Sequence, residues 1–255
     1  MGGKTVISDH GRAPAIRRTA GEIAMKDNRG AFFREHKYVV IDDFASAPEC
    51  RELLHAIDRC KNTIGLIKVS QTSVTSRKRF LTINGEDVEE NIPAAGRLYA
   101  KVNELVNRLS GTDYAALENK QIGLSINVTP AGGTFSWHHD RHEITAILYL
   151  NELDGGGELE FFPNNRVLLK NNREGIRKWL QLGFDALGLA ASLMTRRKVI
   201  VTPKPGVLCI MIGTKCTHRV RSVIGDRERV CVIFAYDVPG KDFSREVTGD
   251  YYGYK

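Results

Sequence analysis

The sequence predicts a mostly β protein: a rolled antiparallel core in the second half, braced by helices from the first half and interrupted by one helical insertion. Three observations carry this. Two segments within residues 46 to 111 repeat apolar positions at helical spacing. From residue 121 onward the pattern shortens to β-branched and aromatic runs split by Gly, Pro, Asn and Asp. No alternation of strand and helix occurs, which argues against a parallel α/β sheet.

Residues 1 to 31 are polar and basic with little periodicity, and are expected to form a loosely held arm. "YVVIDDFAS" (38 to 46) reads as a strand running into a turn. "SAPECRELLHAIDRC" reads as a helix capped by Ser46, with Pro48 in its first turn and Leu53, Leu54 and Ile57 on the apolar side. A second helix is predicted within 93 to 111, where Leu98, Val102, Leu105 and Leu109 recur and Gly111 supplies a stop. The strand-like runs follow: "QIGLSINVT", "ITAILYLNEL", "GELEFF", "RKVIVT", "GVLCIMIG" and "RVCVIFAYDV". Between them, residues 172 to 194 place Ile176, Trp179, Leu180, Phe184, Leu187, Ala190 and Met194 at helical intervals. This segment is either a cover for the sheet, an inserted lid or a dimer surface. The expected organisation is one domain over 32 to 240, with helical support at 46 to 111, a core at 121 to 236, an insertion at 163 to 200 and a tail at 241 to 255.

Composition narrows the function classes. The 255 residues are 42% hydrophobic and 26% charged, the profile of a globular domain rather than a disordered or membrane chain. The net charge of +7 collects in Arg77-Lys78-Arg79, Arg173 with Arg177-Lys178, and Arg196-Arg197-Lys198. These clusters suit solvated faces or anionic small molecules. Nucleic acid is not expected as a partner, because neither aromatic–basic alternation nor zinc-finger spacing accompanies them. The five cysteines are odd in number and scattered, so they read as reduced thiols. With no signal-peptide core and no transmembrane run, a cytoplasmic monomer or homodimer without a membrane partner is expected.

The chemistry concentrates in "FSWHHDRHEITAILYLN" (135 to 151). His138 and Asp140 are two residues apart, so an extended chain turns both to one side. His218, at the end of "GVLCIMIGTKCTH", is a third candidate that a neighbouring strand can bring alongside. Two imidazoles and a carboxylate on one face of an ion form the facial set that suits non-haem Fe(II). His139 is expected to face away, and His142 follows in the same turn. Arg227 lies nine positions beyond His218, where its planar fork suits a bidentate carboxylate; Arg229 has the same strand parity and is the second candidate.

"WHHD", the later His218, "GDR", "GGGELEFF" and "PKPGVLCIMIG" together resemble the double-stranded β-helix (jelly-roll, cupin-like) dioxygenases that use Fe(II) and 2-oxoglutarate, in the branch that includes prolyl 4-hydroxylases. The resemblance runs from about residue 121 to 236. It implies that His138, Asp140 and His218 hold the metal, and that Arg227 within "GDR" pairs with the far carboxylate of 2-oxoglutarate. Thr129 in "TPAG" stands where this branch often has a tyrosine that helps hold 2-oxoglutarate. The retained Asp140 implies hydroxylation or a related oxidation rather than halogenation, in which a small residue replaces this carboxylate.

The implied reaction consumes 2-oxoglutarate and O2 and releases succinate and carbon dioxide while oxidising a C–H bond. The basic residues Arg77 and Arg79 suit a carboxylate-bearing, amino-acid-like or natural-product substrate, with Trp137 and His142 as further candidate contacts. The alternative within the enzyme class is a peptidyl-prolyl or other protein hydroxylase, which would call for an open groove beside the metal. The alternative outside it is a non-catalytic β-barrel that binds acidic ligands or nucleic acid.

Overall fold

The computed structural model describes residues 28–72, 77–169, 175–195 and 197–241. The first half builds α1 (Arg29–His36), β1 (Tyr38–Ile41), α2 (Ala47–Thr63), β2 (Ile67–Thr72), β3 (Arg77–Ile83), α3 (Gly85–Asn91) and α4 (Pro93–Ser110). The second builds β4 (Ala115–Ala116), α5 (Lys120–Gly123), β5 (Leu124–Thr129), β6 (Thr134–His138), β7 (Ile144–Tyr149), β8 (Gly155–Gly156) and β9 (Leu159–Phe162). It closes with α6 (Gly175–Thr195), β10 (Val199–Val201), β11 (Leu208–Ile212), β12 (Thr217–Val220), β13 (Val223–Ile224) and β14 (Arg229–Asp237).

Local chemistry sets these boundaries. The Ser46 side chain accepts from the Glu49 amide while the Glu49 carboxylate accepts from the Ser46 amide, a capping box that starts α2 as predicted. Gly111, at φ 71°, ends α4 in the left-handed conformation that glycine adopts without steric cost. Most of the expected arm lies outside the described residues, and α1 begins inside its expected span, at Arg29.

One long sheet dominates, with ten strands in the order β1-β11-β7-β14-β5-β3-β6-β12-β9-β10 and every pairing antiparallel; β2 joins β3 and β4 joins β14. It is a rolled double-stranded β-helix with two faces of different use. On one, Ile144, Ala146 and Leu148 of β7, Val230, Val232 and Phe234 of β14, and Leu124, Ile126 and Val128 of β5 pack with Leu53 and Ile57 of α2 and Val102 and Val106 of α4. That is the helix-braced core. On the other, alternate residues Ile147 and Tyr149, Cys209 and Met211, and Cys231 join Leu159 and Phe161 inside the roll. The site grows from this inner face.

Two strands fall within residues 46 to 111, where only helical support is expected. The first half supplies β2 and β3, and β3 lies between β5 and β6, joining the two halves of the roll. Its Arg77-Lys78-Arg79 start hides it, because charge at every position erases the apolar–polar alternation by which a strand is read.

Candidate metal centre

β6 and β12 lie side by side with His138 directly opposite His218. The next matched pair is Phe135 with Val220, so three steps on β6 answer two on β12. This irregularity turns Phe135 to the same side as His138, and their rings stack with centroids 3.9 Å apart. Asp140 follows in the turn, its amide donating to the Gly213 carbonyl at 3.0 Å. Nε2 of His138 is 3.7 Å from one Asp140 oxygen, and Nε2 of His218 is 3.4 Å from the other. All three ligand atoms lie within 4.8 Å of one another. Neighbouring ligands of one ion, each bonded at about 2 Å, have spacings of this order.

The surroundings orient the donors. Nδ1 of His138 is 2.8 Å from the Ser136 carbonyl, and Nδ1 of His218 is 2.8 Å from the Cys216 carbonyl. A carbonyl can only accept, so each Nδ1 carries the proton and each Nε2 presents its lone pair to the centre. Burial pushes the His138 imidazole well below its usual range, with His218 adding to the effect, which keeps the ring neutral and able to bind metal. Burial acts to raise the Asp140 carboxyl. The His218, His142 and His138 rings and the Thr145 hydroxyl outweigh it and hold the group well below the usual carboxylate range.

Thr145 donates to Asp140 and lies 2.9 Å from His142 Nε2. Gly213 forms the wall behind: a Cβ there would stand 2.8 Å from an Asp140 carboxylate oxygen and 2.6 Å from the Thr145 hydroxyl. Thr145→Val keeps the shape and removes the hydroxyl that fixes Asp140. It is expected to weaken metal binding about ten- to hundredfold, measured by Fe(II) titration.

Deeper in the roll, Arg229 is 3% exposed. Nη1 contacts the Cys231 sulfur at 3.1 Å and the guanidinium lies 5.1 Å above the Tyr149 ring. Its Nε and Nη2, and the Tyr149 hydroxyl, are buried without a hydrogen-bond partner. Thr129 is its cross-strand neighbour. Arg227 stands elsewhere: its side chain is 65% exposed and its Nε is 3.2 Å from Asp154. The two arginines offered as candidates for the distal carboxylate therefore sit in different surroundings, Arg227 at the surface and Arg229 inside the roll. Arg227 still belongs to the turn held by Asp154, whereas β14 starts at Arg229 and carries that side chain inward.

No protein-family model and no curated protein matches the sequence. Solved structures do. A Trichoplax adhaerens prolyl hydroxylase, in complex with a hypoxia inducible factor peptide, is 16% identical with a TM-score of 0.62, covering 86% of this chain and 91% of its own. The carbocyclase SnoK of nogalamycin biosynthesis, a non-heme alpha ketoglutarate dependent protein, is 13% identical with a TM-score of 0.65, covering 90% and 93%. A Pseudomonas putida prolyl-4-hydroxylase is 18% identical with a TM-score of 0.53, covering 83% and 97%. The fold is that of the Fe(II)/2-oxoglutarate dioxygenases. Within this dioxygenase fold, His138, Asp140 and His218 form a two-histidine, one-carboxylate facial triad.

The remaining candidates divide. Trp137 stacks on Phe162 at 5.1 Å and under the Arg219 guanidinium at 4.7 Å, so it packs with the neighbouring strands rather than walling the triad. His142 is buried against Thr145 and supports Asp140. His139 turns to Asp185 at 3.6 Å. Arg77 and Arg79 are exposed, while the residue between them, half-buried Lys78, sits with Nζ 4.6 Å over the Phe135 ring. Burial lowers the Lys78 ammonium's pKa against the opposing attraction of Asp140. Strand alternation is the signal that separates Lys78 from its neighbours, and it is usable only once β3 is known to be a strand. Beside Asp140 a cavity of about 360 Å³ opens between the 139 to 143 turn and Arg166, Leu168 and Leu169 of the insertion.

Proposed function

We propose that this chain is an Fe(II)/2-oxoglutarate-dependent oxygenase that hydroxylates a C–H bond of a small, carboxylate-bearing, amino-acid-like substrate, releasing succinate and carbon dioxide. One observation carries the reading: the triad shares the roll with a buried guanidinium that has unused donors. A structural arginine at 3% exposure would be expected to have its donors satisfied; Arg229 instead keeps Nε and Nη2 without a partner, as suits a site for a carboxylate.

His138, Asp140 and His218 would hold the iron, and Arg229 the distal carboxylate of 2-oxoglutarate. Tyr149, whose phenol burial pushes upward and so keeps protonated, stands ready as a second donor. Its place beside Arg229 offsets the Thr129 departure, since Thr129 has a shorter reach on the adjacent strand. Iron with 2-oxoglutarate and O2 supplies the oxidising power when bound, and the protein supplies position and dryness. The carbonyl tethers keep the two rings from turning, Thr145 and Gly213 keep the carboxylate facing them, and the apolar lining of Leu159, Phe161 and Met211 excludes water from the roll. Lys78 offers a cation on the Phe135 side of the triad. It has no carboxylate within salt-bridge distance among the described residues, which favours an anionic substrate.

The test is Fe(II)-dependent conversion of 2-oxoglutarate to succinate in the presence of an amino-acid library, with His138→Ala and Asp140→Ala as controls. Turnover found only on a folded protein or peptide rejects the small-molecule reading. Absence of iron-dependent turnover with every substrate, together with absence of iron binding, rejects the enzyme. Lys78→Met is expected to raise KM for a carboxylate substrate about tenfold or more while leaving kcat near the wild-type value, because a charge-assisted contact made equally in ground and transition states is lost.

A further inference from the structure

The inserted helix is built inside out. α6 packs on the 165 to 169 segment through a polar and small stripe: Gln181 bonds Leu169, Val167 and Asp185, Asp185 takes two bonds from Arg166, and Ser192 accepts from Asn165. Gly188 allows close approach, since a Cβ there would lie 3.2 Å from the Asn165 carbonyl. The opposite side is apolar and in water. Ile176, Trp179, Leu187 and Met194 are 74%, 72%, 70% and 84% exposed, and Leu180, Leu182, Phe184 and Leu193 are about half exposed. Rolling the helix over to bury this face would strip Asp185 from Arg166 and empty the Gln181 contacts, so the face is not a lid over the metal centre. A contiguous apolar surface of this kind marks a docking site.

Width and charge decide what docks. At 100° per residue, Ile176, Leu180, Leu187 and Met194 point straight out, while Leu182 and Leu193 on one flank and Phe184 on the other spread the face around more than half the helix. A second helix covers only a narrow seam and would leave both flanks wet. The sequence places Arg177 and Lys178 near the helix start and Arg196 and Arg197 just after its end; Lys198 beyond them is paired with Glu160, and the helix's one acid, Asp185, is paired with Arg166. Pairing two copies in either direction sets basic ends against basic ends. A broad apolar face with cationic ends and no free acid suits an anionic lipid surface.

We propose that α6 lies in the headgroup region of an anionic bilayer and docks the protein there peripherally. No helix among the described residues is long and apolar enough to cross a membrane; lying on one is a separate property. This proposal is independent of the oxygenase reading.

The test is co-sedimentation of the full chain with phosphatidylcholine vesicles, with and without phosphatidylglycerol. Expected are binding that requires phosphatidylglycerol and falls with salt, and a shift of emission to shorter wavelength that Trp179→Phe removes. A Leu180→Gln/Leu187→Gln variant should bind more than about tenfold more weakly, because two leucine side chains are lost from the apolar phase. Both positions are exposed, so its melting temperature should match the wild type, which separates lost docking from lost folding. Absence of binding to either vesicle, equal binding to neutral vesicles, or undiminished binding of the double variant overturns the proposal. So does a wild-type dimer in light scattering that this variant converts to monomer without any vesicle binding, which assigns the face to a second copy.

Discussion

Arg229→Met is expected to abolish the response to 2-oxoglutarate while leaving the ligand-free protein at least as stable as the wild type. The argument rests on an imbalance inside the roll. A guanidinium is always charged, and this one is buried with two of its nitrogens unpartnered and only a cysteine sulfur and a tyrosine ring beside it. Burying such a charge without an anion costs several kcal/mol, which methionine of similar length does not incur. A dicarboxylate reverses the sign by bringing the missing partner. Thermal melts with and without 2-oxoglutarate should show a ligand-induced rise for the wild type and none for the variant. The KM for 2-oxoglutarate should increase at least about a hundredfold, given the worth of two charge-assisted bonds. Arg227→Met is the contrast: it loses an exposed pair with Asp154, worth at most about 1 kcal/mol, and should leave KM unchanged. A variant at 229 that melts far below the wild type yet still responds to 2-oxoglutarate would make Arg229 a structural residue.

How much of this was legible follows from what a one-dimensional pattern retains. The His138, Asp140 and His218 set was readable because the first two share a face through spacing alone and the third ends an unmistakable apolar strand. The different surroundings of Arg227 and Arg229 were not, since they have the same parity; what separates them is where the turn bonded to Asp154 gives way to β14, and that depends on a residue 73 positions away. Tyr149 was visible only as one apolar position in "ITAILYLN"; that it faces inward with Thr145 and Ile147, rather than toward α2 and α4, is set by β7 lying between β11 and β14. Lys78 was hidden by charged neighbours. α6 was legible as a helix and misleading as a cover, because apolar periodicity reports that a face exists and not which way it turns.

Asp140→Ala is expected to lower iron affinity more than about a hundredfold and bring 2-oxoglutarate turnover to background, with the fold intact. The loss exceeds that of Thr145→Val because a ligand is removed, not merely its support. Asp140→Asn separates charge from shape: the amide can still accept from Thr145 and fill the space before Gly213, but it lacks the negative charge that draws a divalent ion, so it should fail almost as completely. The metal-free proteins carry a second signature. The surrounding rings and the Thr145 bond depress the Asp140 carboxyl relative to the unfolded chain, so the ionised group stabilises the fold above the ordinary carboxylate value of about 3.9, and that stabilisation is lost as pH falls toward the folded-state value. The melting-temperature difference between wild type and Asp140→Asn should therefore be largest near neutrality and shrink in acid. A difference that stays constant with pH would mean that the carboxylate is held by shape alone.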